Sequence, residues 1–171
     1  MALAAVIAAQ PAQATEGYFQ HGLGSVSKAL AGAGAAYSQD AMTMAINPAG
    51  LVHIDNQAVV GAAAFSPMRS YSGSGTEQQS AVPTGTFDSD NELFLIPNVA
   101  ASYRLDDASV IGIALYGNGG MNTEWPATTR GAVACPPSGS TGVFCAGKAG
   151  VDLTQLFFQP TYAREIFDGI S

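Results

Sequence analysis

Residues 91–124, NELFLIPNVAASYRLDDASVIGIALYGNGGMNTE, decide the fold. From Asn91 to Leu105 the apolar residues recur at every second position: Leu93, Leu95, Val99, Ala101 and Tyr103 share one face. The opposite face carries Glu92, Asn98, Ser102 and Arg104, together with Phe94 and Ile96. A period of two belongs to a β-strand, whose successive side chains point to opposite sides. Asp106-Asp107 is a tight turn, and Ser109 to Glu124 reads as the returning strand. Each strand runs to about 15 residues, whereas strands of globular sheets are commonly about five or six long. A tilted strand that crosses a bilayer needs at least about nine to eleven.

The same period extends outward along the chain. Gln57 to Tyr71 and Val151 to Glu165 read as two further long strands, and in the latter Leu156, Phe158 and Tyr162 alternate with Gln155, Gln159 and Thr161. The connections alternate in length. Asp106-Asp107 is minimal, whereas GSGTEQQSAVPTGTFDSD and the segment holding both cysteines are long. Short turns at one end and long loops at the other are the asymmetry of an outer-membrane barrel. Tyr103, Tyr116, Trp125 and Tyr162 lie towards strand ends, where an interfacial aromatic girdle is expected. The fold class expected is all-β, a transmembrane antiparallel β-barrel. Four strands do not close such a barrel, for which about eight is the minimum, so the chain reads as the first part of one. Phe167-Asp168-Gly169 reads as the next turn. A secreted or surface β-rich binding or adhesin domain is the alternative, and a barrel enzyme such as a lipase is a third possibility.

Composition agrees with strands in lipid. Of 171 residues 11% are charged and 47% hydrophobic, yet no apolar run reaches the roughly 18 residues that a membrane helix requires. Six basic residues stand against 13 acidic ones, a net charge of −7, which argues against nucleic acid as a partner. Glycines without period, absent heptads and plentiful aromatics exclude collagen, coiled coil and an acidic tail.

Residues 1–14, MALAAVIAAQPAQA, read as a signal peptide with a truncated basic region, cleaved after Ala14. Residues 15–56 differ in texture from the rest, being rich in Gly and Ala. Ser25 to Leu30 and Asp40 to Ile46 are each expected to form a short helix, capped by Ser25 and Asp40, the second stopped by Asn47-Pro48. Residues 57–171 hold the strands, with 126–150 as an extracellular loop. Cys135 and Cys145, the chain's two cysteines, are expected to bridge in an oxidising compartment and pin that loop.

Catalytic chemistry is not visible. Gly32-Ala33-Gly34 follows no strand, so it is no dinucleotide fingerprint, and no phosphate-binding loop occurs. His21 and His53 have no nucleophile elbow to serve, and Asp88/Asp90 and Asp106/Asp107 read as solvated turn residues. No cofactor, metal site or catalytic residue is expected. Two local signals stand out. Asn47-Pro48-Ala49 closes the small-residue region. Gly117-Asn118-Gly119-Gly120 interrupts a strand, inviting a bulge or kink that would open a side hole in a barrel wall.

These residues carry a resemblance. The stretch GYFQHGLGSVSKALAGAGAAYSQDAMTMAINPAGL, with Gly22-Leu23-Gly24, Ala31 to Ala35, Asp40-Ala41 and Asn47-Pro48-Ala49-Gly50, resembles the N-terminal hatch of the FadL-type (OMPP1/FadL/TodX-like) family. LFLIPNVAASYRLDD and VDLTQLFFQPTYARE are similar to that family's paired strands. The resemblance implies a monomeric 14-stranded barrel plugged by a helical hatch, in the outer membrane of a Gram-negative bacterium among lipid and lipopolysaccharide. It implies passive uptake of a hydrophobic small molecule, a long-chain fatty acid or a hydrocarbon. Thr15, Glu16, Gly17, Tyr18 and Phe19 would contact substrate. Gly117, Asn118, Gly119 and Gly120 would form a lateral gate.

Overall fold

The computed structural model describes residues 19–75, 84–127, 141–142 and 144–167. The expected signal peptide, Thr15 to Tyr18, Cys135 and the turn beyond Phe167 lie outside the described residues, as does much of the loop 126–150.

Among the described residues six strands follow a short helical segment: β1 (Gln57–Phe65), β2 (Ser70–Gly73), β3 (Gly85–Asp88), β4 (Phe94–Arg104), β5 (Ser109–Trp125) and β6 (Ala149–Arg164). Four of them form an antiparallel sheet in the order β1-β4-β5-β6, and β2 pairs with β3. The strand expected over Gln57 to Tyr71 is therefore two strands. Pro67 stands at the break, where it has no N–H to give a ladder. The registers on either side of the break differ by one residue, Phe65↔Phe94 before it and Ser70↔Asp88 after it, so β1–β4 and β2–β3 are one long hairpin with an irregular waist.

Registers place the alternating residues in rows. Val60, Val99, Leu115 and Phe158 lie side by side across the sheet, and Tyr103, Ile111 and Tyr162 form a parallel row nearer the short turn. All of these are exposed, with Leu95, Ile113 and Leu156 between or above them. From Tyr103 to Leu95 is roughly 26 Å of strand at about 3.3 Å per residue, the scale of the apolar band on a membrane barrel. A continuous apolar face of this size is uncommon on a soluble monomer. Among the described residues no helix is long and apolar enough to cross a membrane.

The other face is covered by the segment 19–56. It contains α1 (Gly24–Ala29) and two 3-10 helices, Ala41–Ala45 and Pro48–His53. Met42, Met44, Leu51, Val52 and Ile54 pack with Ala100, Val110, Ala114, Tyr116 and Ala163 in one buried cluster. The approach is close at Gly112, where a Cβ atom would lie 2.5 Å from Met44 Cε and 2.9 Å from Leu51 Cδ2. Arg104 fixes the end of the segment: its Nη2 donates to Val52 O (2.7 Å) and Ile54 O (3.3 Å). Ser102 Oγ donates to Asp55 O at 2.7 Å.

The local expectations for this segment are partly corrected. Ser25 is not a cap, because α1 begins at Gly24 with Leu23 before it and no side-chain cap. Asp40 does cap its helix, accepting from Met42 N at 2.9 Å. Asn47-Pro48 does more than stop that helix. Pro48 occupies the first position of the next one, where a missing N–H costs nothing. Helix α1 ends in a Schellman arrangement, with Ala31 N to Lys28 O at 3.0 Å and Gly32 N to Ser27 O at 2.8 Å. Ala31 holds the left-handed position of that motif at φ 52°.

Candidate functional site

The ladder between β4 and β5 runs from Arg104↔Val110 to Asn98↔Tyr116 and ends there. The next residue of β4 is Pro97, which has no N–H to donate. The next residues of β5 are Gly117, Asn118, Gly119 and Gly120. Across the opposite seam, the register with β6 shifts between Gly117↔Leu156 and Gly119↔Gln155, leaving Asn118 as the extra residue of a bulge. A bulge bends its strand and increases local twist. Meanwhile Phe94 to Pro97 stay paired to β1. The wall is thus continuous on both sides of a single parted seam.

The seam closes again towards the long loops. Asp90 N donates to Glu124 O at 2.8 Å, Glu124 N to Ser89 Oγ at 3.1 Å, and Asn91 Nδ2 to Asn122 Oδ1 at 2.6 Å. Arg69, at the waist of the β1–β4 hairpin, donates through Nη1 to Asn122 O and through Nη2 to Asn91 O. Its guanidinium lies 5.6 Å from the Phe94 ring centroid. Beyond this, Lys148 pairs with Asp90 (3.0 Å) and Glu124 (2.5 Å). Those hydrogen bonds and charges raise the Lys148 pKa above its ordinary value.

Inside the parted stretch stands the N-terminal segment. Phe19 forms an antiparallel bridge to Gly119, and Gln20 Nε2 donates to Gly117 O. A backbone carbonyl at a parted seam in a membrane wall must find a donor. Gln20 supplies it.

Of the residues singled out in the sequence, Phe19 and Gly117 to Gly120 are brought together. Asn47 lies elsewhere, its Nδ2 donating to Ala35 O at 3.0 Å, and Pro48 and Ala49 belong to the second 3-10 helix. Cys145 is disulfide-bonded. Of the aromatics expected to form a girdle, Tyr103 and Tyr162 are exposed, whereas Tyr116 and Trp125 are not. Tyr116 is buried, stacks on Phe157 at 5.8 Å between centroids and donates to Gln159 Oε1 at 2.8 Å. Trp125 meets Tyr71 edge-on at 5.0 Å. In each case strand position alone does not settle which face the ring occupies. Gln20, Arg69, Asn91 and Asn122 do not stand out in the sequence. One signal that bears on them is a lone arginine in the otherwise uncharged stretch from Gln57 to Tyr71.

An antiparallel sheet with one apolar face, a tyrosine row and a helical segment on its other face is of the class of outer-membrane β-barrel walls. The comparisons with known proteins give the family. The family model described as outer membrane protein transport protein (OMPP1/FadL/TodX) matches residues 1–136. The chain belongs to this family of Gram-negative outer-membrane transport proteins. No curated protein and no solved structure matches the chain.

Proposed function

We propose that this chain passes hydrophobic molecules, long-chain fatty acids or aromatic and aliphatic hydrocarbons, across the outer membrane by ligand-gated diffusion. In this reading residues 1–14 are a signal peptide and residues 15–56 a plug. The strands from Gln57 onward begin a monomeric 14-stranded barrel set among lipid and lipopolysaccharide, with 126–150 as an extracellular loop. A ligand adsorbs at the long loops, enters the apolar interior and displaces the segment Thr15 to Phe19. It then leaves sideways between β4 and β5. Burial of an apolar ligand contributes about 0.8 kcal/mol per CH2, so no coupled energy source is required.

The observation that carries this reading is the parted seam at Gly117 to Gly120 with Phe19 and Gln20 seated in it. The bridge is isolated rather than part of a ladder, which makes it a removable partner in a way that a neighbouring strand is not.

Replacing Gly119 and Gly120 together with Val tests the lateral route. A Cβ at Gly120 would lie 2.6 Å from Leu153 O, so the bulge cannot persist unchanged. Uptake of radiolabelled palmitate by cells expressing the variant should fall several-fold while its heat-modifiable migration stays native. Wild-type uptake would sink the lateral route.

A further inference from the structure

The lateral seam has two ends, and they are built differently. The lower end is the last regular ladder pair, Asn98↔Tyr116. The upper end has no ladder. It is held by side chains together with the Asp90 N to Glu124 O backbone bond, and Arg69 is at its centre. The guanidinium fork reaches across from the hairpin waist and binds the carbonyls of both strands that flank the opening, Asn91 on the approach to β4 and Asn122 on β5. Its own backbone is fixed by Ser89 N donating to Arg69 O at 2.9 Å. Asn122 is further held by its Nδ2 donating to Asp152 Oδ1 of β6 at 2.8 Å.

Resting on the lateral route proposed above, we propose that Arg69 is a specificity-determining clasp, which stops the seam from unzipping towards the loops and so limits the girth of what leaves through it. The chemistry suits this task. Two convergent carbonyls need two donors at fixed spacing, which a planar guanidinium offers and an ammonium does not. The Phe94 ring beneath it keeps the fork in place, as a cation over an aromatic face. With the clasp closed, the parted stretch of β5 from Gly117 to Met121 is about 13 Å long at about 3.3 Å per residue. A linear acyl chain can slip through such a slot edgewise, whereas a rigid fused-ring molecule needs it widened. Without the clasp, the carbonyls of Asn91 and Asn122 lose their shared donor, and the links left at that end include the Asn91–Asn122 amide pair, the Ser89, Asp90 and Glu124 bonds and the Lys148 pairs with Asp90 and Glu124.

The test compares palmitate with a sterol, using the full protein expressed in outer membranes and Arg69→Met, which keeps much of the stem and loses the fork. The sterol-to-palmitate uptake ratio should rise at least threefold, and Arg69→Lys should fall between. A Cys pair at positions 91 and 122, joined by a short thiol cross-linker in the Arg69→Met background, should restore the wild-type ratio. Amide exchange adds a readout that depends on no substrate. Protection at Asn122 to Glu124 should drop at least tenfold in Arg69→Met, with Val110 to Tyr116 unchanged. An unaltered ratio, a ratio that the cross-link does not reverse, or unaltered protection overturns the clasp. The two readings fail separately: wild-type palmitate uptake in the Gly119/Gly120 valine variant defeats the lateral route itself. Loss of uptake there, with an unchanged ratio in Arg69→Met, defeats the clasp alone.

Discussion

Phe19 bridges Gly119 at the point where β5 has parted from β4. The two residues are far apart in the chain, and each answers a need of the other. Gly119 lies in a stretch with no strand on that side, and Phe19 brings a short length of extended backbone to it. The adjacent Gln20 side chain then reaches Gly117 O. The wall is therefore completed by a segment that belongs to neither neighbouring strand.

Gln20→Leu should loosen this arrangement. It leaves Gly117 O without its donor, and an unsatisfied backbone group in such a place costs about 1–3 kcal/mol. A cysteine placed at position 19 should be labelled by a small thiol reagent roughly fivefold faster or more in the Gln20→Leu background, the factor corresponding to about 1 kcal/mol. Equal labelling rates would show that the side-chain bond does not hold the segment.

Gly112→Val should displace the helical segment from the sheet. The added side chain would meet Met44 and Leu51, both fully buried, with Ala101 O 3.2 Å from its Cβ. Overpacking of this kind costs about 1–3 kcal/mol. Limited proteolysis should cut within residues 19–56 faster than in wild type, while the strands remain resistant. Uniform loss of resistance along the whole chain would contradict a segment packed on the sheet through Met44 and Leu51.

Tyr116→Phe should cost about 1 kcal/mol by removing the bond to Gln159 Oε1. The partner matters because Gln159 Nε2 also donates to Met44 O at 2.6 Å, so one amide links the sheet to the segment above it. Tyr116→Ala should cost about 3–5 kcal/mol, since the stacked contact with Phe157 is lost as well. Urea titration of the protein folded into lipid vesicles measures both. A smaller loss for Ala than for Phe would be inconsistent with a buried ring.

Asp106 gives a pH prediction for the short turn. Its carboxylate accepts from Ala108 N at 2.8 Å, and chiefly for that reason its pKa is lowered from the ordinary value. A depressed pKa in the folded state stabilises the turn above the ordinary carboxylate pKa, and that stabilisation is lost as pH falls through the depressed value. Exchange of the Ala108 amide should therefore deviate from its intrinsic pH dependence only below about pH 4. Asp106→Asn should abolish the deviation. The same deviation in the variant would assign it to another group.

The strands are legible in the sequence because their cause is local. Leu95, Val99 and Tyr103 on one face of β4, and Leu156, Phe158 and Tyr162 on one face of β6, follow from a period that adjacent residues fix. The hairpin at Asp106-Asp107 and the glycine interruption of β5 are legible for the same reason. The division of the first expected strand is less so, although Pro67 is its visible cause. Tyr116 departs from expectation because a tyrosine near a strand end has two faces available to it, and the choice depends on Phe157 and Gln159 on another strand. The partners of Arg69 come from the segment before β4 and from β5, so no window of sequence contains them.

By itself the sequence determined that this is a charge-poor all-β chain with a small-residue N-terminal segment, strands long enough for a bilayer and a weak point at Gly117 to Gly120. Period, length and composition are properties of neighbours in the chain, and the chain states them directly. Which seam parts and what fills it were decided by tertiary structure. A glycine-rich bulge weakens pairing on both sides of a strand. Whether β4 or β6 lets go depends on Pro97 beside one seam, on the β6 pairing that resumes directly past Asn118 along the other, and on Phe19 and Gln20 arriving from far away in sequence to satisfy what was left open.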